Sequence, residues 1–351
     1  MKKLVLTGGG TAGHVYPALA VREEIGSDFE VHFIGGEGME KDILAKESDI
    51  TYHMIKPVKL VRKITLKNIL IPFKLLFSII EAKKILKKIK PDIVFSKGGY
   101  VAVPVVIAAH MLKIPVISHE SDLSMGLANK IILKYCDVMC VAFEKTALVS
   151  PKCVFTGQPI RKKVLNGNKN NLKLPSSFDK YKPNLLVVGG SSGAQFLNDI
   201  TIENIDCLCK KYNVIHLTGK NFKNKIDKLG YLQIDYAENM GDYLDWADLI
   251  VSRAGSGAIN EFLALKKPML LIPLSKKCSR GDQIENAKLF AGLEYGDILE
   301  EEDYNKDIFL WKLEDLNKNR QKYKQNMEKS SNPNASKNIA RLIKEKVNKA
   351  G

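Results

Sequence analysis

Short, nearly continuous apolar runs alternate along the chain with stretches in which apolar residues recur every three or four positions. The runs "KLVLT" (3–7), "VHFIG" (31–35), "DIVFS" (92–96), "PVISH" (115–119) and "VMCVA" (138–142) read as parallel strands buried on both faces. Helical spacing falls between them, near 15–25, 38–48, 100–112 and 124–135. The pattern then restarts at "LLVVGG" (185–190) and continues through "VIHLTG" (214–219), "LIVSRAG" (249–255) and "MLLIP" (269–273). Two doubly wound α/β domains of similar size are predicted, and ligands in such sheets bind beyond the carboxyl ends of the strands. The polar stretch 166–184, rich in Asn, Lys and Pro, reads as loop at the entry to the second domain, with the boundary near Thr156–Arg161. An amphipathic basic helix is expected over 334–348, after Asn332-Pro333-Asn334.

A length of 351 residues agrees with two domains. The six cysteines form no CxxC pair and read as reduced thiols of a cytosolic protein. The first strand begins straight after Met1-Lys2-Lys3, with no signal-peptide pattern, and no run of 18 apolar residues offers a membrane span. Charge changes the picture more. The formal net charge is +15, which calls for an anionic partner: nucleic acid, an acidic membrane surface or a phosphorylated substrate. Residues 56–90 hold eleven Lys/Arg and a single acid, Glu81, around the apolar run "ILIPFKLLFSII" (69–80). That combination reads as an interfacial membrane contact, with Ile69, Leu70, Phe73, Leu76 and Phe77 as its apolar patch.

Four glycine-containing loops open helices: "TGGGTAGHV" (7–15), "KGGYVAVP" (97–104), "VGGSSGAQ" (188–195) and "SRAGSGAINE" (252–261). Glycine lets backbone approach a ligand closely, and the following helix start offers unpaired N–H groups and a partial positive charge. This is a way to hold a diphosphate without metal. Gly8, Gly10 and Gly13 fit GxGxxG, but no acid is cleanly placed about 20 residues on, and no P-loop exists. A nicotinamide oxidoreductase is therefore disfavoured. Glu261, early in the fourth loop's helix, suits two ribose hydroxyls or plain helix-dipole stabilisation. His14 suits a general base, a phosphate or sugar contact, or a structural helix cap. Asp122, near the polar pair His119 and Glu120, is an alternative base. No D-x-D triplet occurs, so no obligatory metal or other cofactor is expected. Nucleic-acid binding is disfavoured too, because no zinc spacing, RNP-like run or helix-turn-helix pattern accompanies the charge.

Collinear over nearly the whole chain, "GGGTAGHVYPALA" (8–20), "KPDIVFSKGGYVAVPVVIAA" (90–109), "IPVISHESDLSMGLANK" (114–130), "TGQPIRKKVL" (156–165), "VVGGSSGAQFLN" (187–198), "SRAGSGAINEF" (252–262) and "RGDQIENA" (280–287) resemble the MurG family of bacterial N-acetylglucosaminyltransferases. The resemblance implies a GT-B architecture, two Rossmann-like domains facing a cleft. It implies inverting transfer of GlcNAc from UDP-GlcNAc to the C4 hydroxyl of MurNAc in lipid I, giving lipid II. Residues 1–157 would face acceptor and membrane, 158–333 would bind the UDP-sugar, and the helix 334–351 would pack back on the first domain. Thr11, Ala12 and Gly13 would line the loop near donor sugar and acceptor diphosphate. Arg161 would reach the donor, Ser191 its phosphates, Ala237 the uracil, Glu261 the ribose and Gln283 the GlcNAc hydroxyls, with Asn129 and Asn198 ordering loops. The implied location is the cytoplasmic face of the membrane, peripherally bound to an anionic surface, with cell-wall synthesis proteins as further partners. Where this chain has "HESD" (119–122), many relatives carry HEQN, so Asp122 puts a carboxylate where diphosphate is expected. Asp282-Gln283 likewise stands where relatives often carry two glutamines. Other GT-B enzymes, such as a diacylglycerol glycosyltransferase or a UDP-GlcNAc 2-epimerase, are the alternative.

Overall fold

The computed structural model describes residues 1–59, 70–190, 193–331 and 334–350. Two compact units result, Met1–Arg161 with Pro333–Gly351, and Lys162–Asn332.

The first unit carries seven parallel strands: β1 Lys2–Thr7, β2 Phe29–Gly35, β3 Ile50–Met54, β4 Ile93–Ser96, β5 Val116–Glu120, β6 Val138–Val141 and β7 Cys153–Phe155, in the order β3-β2-β1-β4-β5-β6-β7. Successive side chains feed opposite faces, as pleating requires. Leu4 and Leu6 pack with the helices Ala12–Ile25 and Ala335–Ala350. Val5 packs under the helices Ile71–Ile89, Ala102–Met111 and Leu127–Tyr135. Both faces are covered, which is why the central strands read as unbroken apolar runs.

The second unit repeats the plan with β8 Asn184–Val188, β9 Asn213–Leu217, β10 Tyr231–Ile234, β11 Leu249–Ser252, β12 Met269–Leu271 and β13 Gly296–Ile298, in the order β10-β9-β8-β11-β12-β13. One face is covered by the helices Gln195–Glu203, Ile205–Lys211 and Lys306–Lys318. In each sheet the chain winds outward on one side of the first strand and then crosses to the other side. The switch points lie between β1 and β4 and between β8 and β11.

Four strands escaped the sequence pattern, β3, β7, β10 and β13, and all four are sheet edges. An edge strand is covered on fewer sides and needs no continuous apolar run; β3 "ITYHM" buries only Ile50 fully.

Candidate functional site

The four glycine loops follow β1, β4, β8 and β11, so they come in pairs at the two switch points. The helices they open start at Ala12, Ala102, Gln195 and Ser256. None of the four has a side-chain cap or an acid in its first turn. The positive end of each helix dipole is therefore not offset by an acid in its own first turn. By contrast, Asn305 caps the helix Lys306–Lys318 with two hydrogen bonds and Asp307 sits in its first turn.

In the first unit, Thr11 and Gly13 are exposed, while Ala12 and His14 are half-buried. Thr11 Oγ1 lies 3.1 Å from His14 Nδ1. The second glycine loop closes on this imidazole. Gly99 has φ +81°, and a Cβ there would stand 2.9 Å from Gly9 O and 3.2 Å from the His14 ring. Arg161 places its guanidinium 3.9 Å above the Tyr16 ring, two residues beyond His14.

Two buried carboxylates order neighbouring loops: Glu40, which the sequence did not single out, and Glu120, which it gave only as half of a polar pair. Buried Glu40 accepts from Gly36 N at 3.0 Å and Gly10 N at 3.2 Å, tying the loop after β2 to the first glycine loop. Buried Glu120 accepts from Asp122 N (2.9 Å), Gly126 N (3.0 Å) and Asn129 Nδ2 (3.0 Å), so it orders the segment after β5. Its partner in the predicted polar pair, His119, is fully buried and donates Nε2–H to Gly157 O at 2.9 Å. Burial, and then nearby Lys97, hold the His119 pKa well below its ordinary value, so the ring is neutral. Asp122 is half-buried on the segment that Glu120 organises.

In the second unit, Gly193 has φ +76°, and a Cβ there would lie 2.2 Å from Thr218 O. The loops after β8 and β9 therefore touch backbone to backbone. Buried Asn198 reinforces the contact, donating to Thr218 O at 3.0 Å and accepting from His216 Nε2 at 3.0 Å. Burial pushes His216 down to about 4. A neutral ring with its proton on Nε2 matches these partners, with Tyr231 O–H donating to Nδ1 at 3.0 Å. Ala237 lies in the loop after β10, and half-buried Glu261 on the helix after β11. Gln283, in the first turn of the helix Asp282–Gly292, accepts Leu274 N–H on Oε1 at 3.0 Å. Asn286 of that helix donates to Ala254 O at 3.3 Å, joining it to the fourth loop. Asp282 pairs with Arg280 at 3.1 Å.

Ser191 and Ile69 lie outside the described residues. Leu70, Phe73, Leu76 and Phe77 are each more than half exposed, with Phe77 at 70%. They share one side of the helix Ile71–Ile89, which exposed Lys84, Lys87 and Lys88 continue, while Ser78, Ala82, Leu86 and Ile89 are buried opposite. Among the described residues no helix is long and apolar enough to cross a membrane, and no cluster of three or more His, Cys, Asp or Glu could hold a metal ion.

Residues 4–141 match the glycosyltransferase family 28 N-terminal domain, and residues 184–345 match the glycosyltransferase family 28 C-terminal domain. A Clostridium tetani protein is 50% identical over 97% of each chain. A Clostridium botulinum (strain Langeland) protein is 49% identical over 98% of this chain and 99% of its own. Both are named UDP-N-acetylglucosamine–N-acetylmuramyl-(pentapeptide) pyrophosphoryl-undecaprenol N-acetylglucosamine transferase. The crystal structure of Acinetobacter baumannii MurG superposes with a TM-score of 0.76 at 27% identity, covering 98% of this chain and 100% of that one. The kitacinnamycin glycosyltransferase shares the fold at a TM-score of 0.73 and 14% identity, over 98% of each chain. With both family domains matched in order and half of all residues shared over nearly full length, the chain belongs to glycosyltransferase family 28, in its MurG group.

Proposed function

We propose that this chain is an inverting glycosyltransferase that moves GlcNAc from UDP-GlcNAc to the C4 hydroxyl of MurNAc in lipid I, forming lipid II for peptidoglycan. The observation that carries the reading is the set of four uncapped, acid-free helix starts at two switch points, in a chain matching N-acetylglucosamine transferases end to end. Diphosphates occur in both substrates, and such helix starts suit them without a metal.

The Lys162–Asn332 unit takes the donor. Backbone N–H groups at Gln195, with Ser191, meet the UDP diphosphate, and Ala237 offers backbone to uracil. Glu261 accepts from the ribose hydroxyls. Gln283, its Oε1 held by Leu274, turns Nε2 to a GlcNAc hydroxyl. Arg161 reaches the donor from the boundary of the units. The Met1–Arg161 unit takes the acceptor, with Thr11, Ala12 and Gly13 at its diphosphate. His14 serves as base: with Nδ1–H donating to Thr11 Oγ1, the Nε2 lone pair takes the proton of the attacking hydroxyl. As that oxygen bonds to the anomeric carbon, the bond to UDP breaks on the opposite face. The leaving diphosphate's charge is met by the helix starts.

The test is transfer of label from UDP-GlcNAc to a short-chain lipid I analogue in anionic micelles, with and without EDTA. Label on the polyprenyl diphosphate, EDTA or not, supports the reading. Label on diacylglycerol, or free ManNAc, would overturn it. Glu261→Ala is expected to raise the donor KM by about 10–100-fold, the order of a lost charge-assisted contact, with a smaller change in kcat.

The same reading places the enzyme peripherally on the cytoplasmic face of the membrane, with cell-wall synthesis proteins as partners and no role for nucleic acid. The outward side of the helix Ile71–Ile89 supports this, apolar over its first half and basic over its second. Replacing Phe73 and Phe77 by serine together should weaken sedimentation with anionic vesicles by about 10–100-fold, from the apolar area of two rings. Far-UV circular dichroism should not change.

A further inference from the structure

Lys97 is the one lysine or arginine that is buried among the described residues, at 1% exposure. It directly follows β4 and leads into the second glycine loop. Its Nζ donates to Ser121 Oγ at 2.6 Å, and Ser121 donates in turn to Gln158 Oε1 at 2.8 Å. Its stem lies against the first glycine loop, where a Cβ on Gly8 would stand 3.1 Å from Lys97 Cβ. Segments beyond β1, β4, β5 and β7 therefore meet at this one side chain. Burying an ammonium is costly unless hydrogen bonds and opposite charges meet it. The charged groups that face it are Glu120, the last residue of β5, and Asp122 just beyond it, while the neighbouring His119 is neutral. Glu120 already accepts three hydrogen bonds. Asp122 is different, because its charge opposes any diphosphate held by the adjacent loops.

We propose that Lys97 is a positioning residue for the acceptor diphosphate: it fixes the Ser121–Asp122 segment against the glycine loops and offsets the Asp122 charge there. The inference rests on the lipid-linked diphosphate acceptor proposed above. Lys97 acts through Ser121 and through its field, without touching substrate.

The experiment compares wild-type and Lys97→Met in steady-state transfer to the diphosphate-linked acceptor analogue, from neutral pH upward. Lys97→Met should raise the acceptor KM by about tenfold at neutral pH, the order of one unit charge acting across a partly solvated site. The donor KM should stay within about twofold. Burial holds the Lys97 ammonium down at about 8. Only the protonated form supplies the charge, so the wild-type acceptor KM should climb as pH rises through that region. The variant should lack this limb and already sit at the high-pH value. Its far-UV circular dichroism at the assay temperature should match the wild type's, although its thermal midpoint should fall, because the Ser121 hydrogen bond is lost and Glu120 loses a facing charge. An unmoved acceptor KM with the alkaline limb intact would overturn the proposal. So would equal rises in both KM values with an altered circular dichroism, which is what loss of structure alone gives. A wild-type chain that transfers nothing to this acceptor overturns the functional reading and this inference together, whereas normal wild-type transfer with an unaffected variant overturns only the inference.

Discussion

His14→Ala should lower kcat for GlcNAc transfer by about 10²–10³-fold, within the range for loss of a positioned general base. The imidazole is held from two sides, by Thr11 Oγ1 at 3.1 Å and by the backbone of the second glycine loop at Gly99. A ring so fixed loses little entropy when it aligns with an attacking hydroxyl. The measurement is single-turnover transfer at saturating donor and acceptor, because kcat separates the two roles open to this histidine. A base acts only in the transition state, so its loss lowers kcat and kcat/KM together. A phosphate contact would show instead as a raised KM with kcat preserved. Near-normal turnover at saturation would remove His14 from the chemistry and turn attention to Asp122.

Glu120→Ala should loosen the segment that bears Asp122. The carboxylate accepts two backbone N–H groups and one amide N–H inside the protein. Alanine leaves all three donors without it, at a cost of about 3 kcal/mol. The readout is amide hydrogen exchange at Asp122 and Gly126, which should accelerate by about 10²-fold. Glutamine is the informative control. It keeps one acceptor oxygen but turns an amino group toward the remaining donors, so its effect should be partial. Unchanged exchange in the alanine variant would mean that the segment is held by its other contacts.

How much of this was legible in the sequence depends on how local each signal is. Strands buried on both faces announce themselves, since every position must be apolar, and the central strands of both sheets were read that way. The edge strands were invisible because exposure on one side releases that demand: "GDI" and "YLQI" look like ordinary loop sequence. The glycine loops were plain, but their pairing at two switch points was not, since that follows from strand order. Glu40 reads as an unremarkable acid in the first turn of a short helix; its use comes from Gly10, thirty residues away in sequence. Lys97 reads the same way, as one basic residue among many, until Ser121 and Gln158 are brought to it. Along the helix Ile71–Ile89 the sequence carried the apolar and basic positions, but only packing against the sheet decided which side faces outward.

The helix Ala335–Ala350 supplies Ile339, Ala340, Ile343 and Val347 to the core around Leu4, Leu6 and Phe33. The Lys162–Asn332 unit is thus an insertion within the other. During translation this reverses the order of completion. The sheet whose strands leave the ribosome first must wait, one face short of a helix beside Ala12–Ile25, until residues 335–350 have emerged. The inserted unit has all its own segments earlier and can close before it.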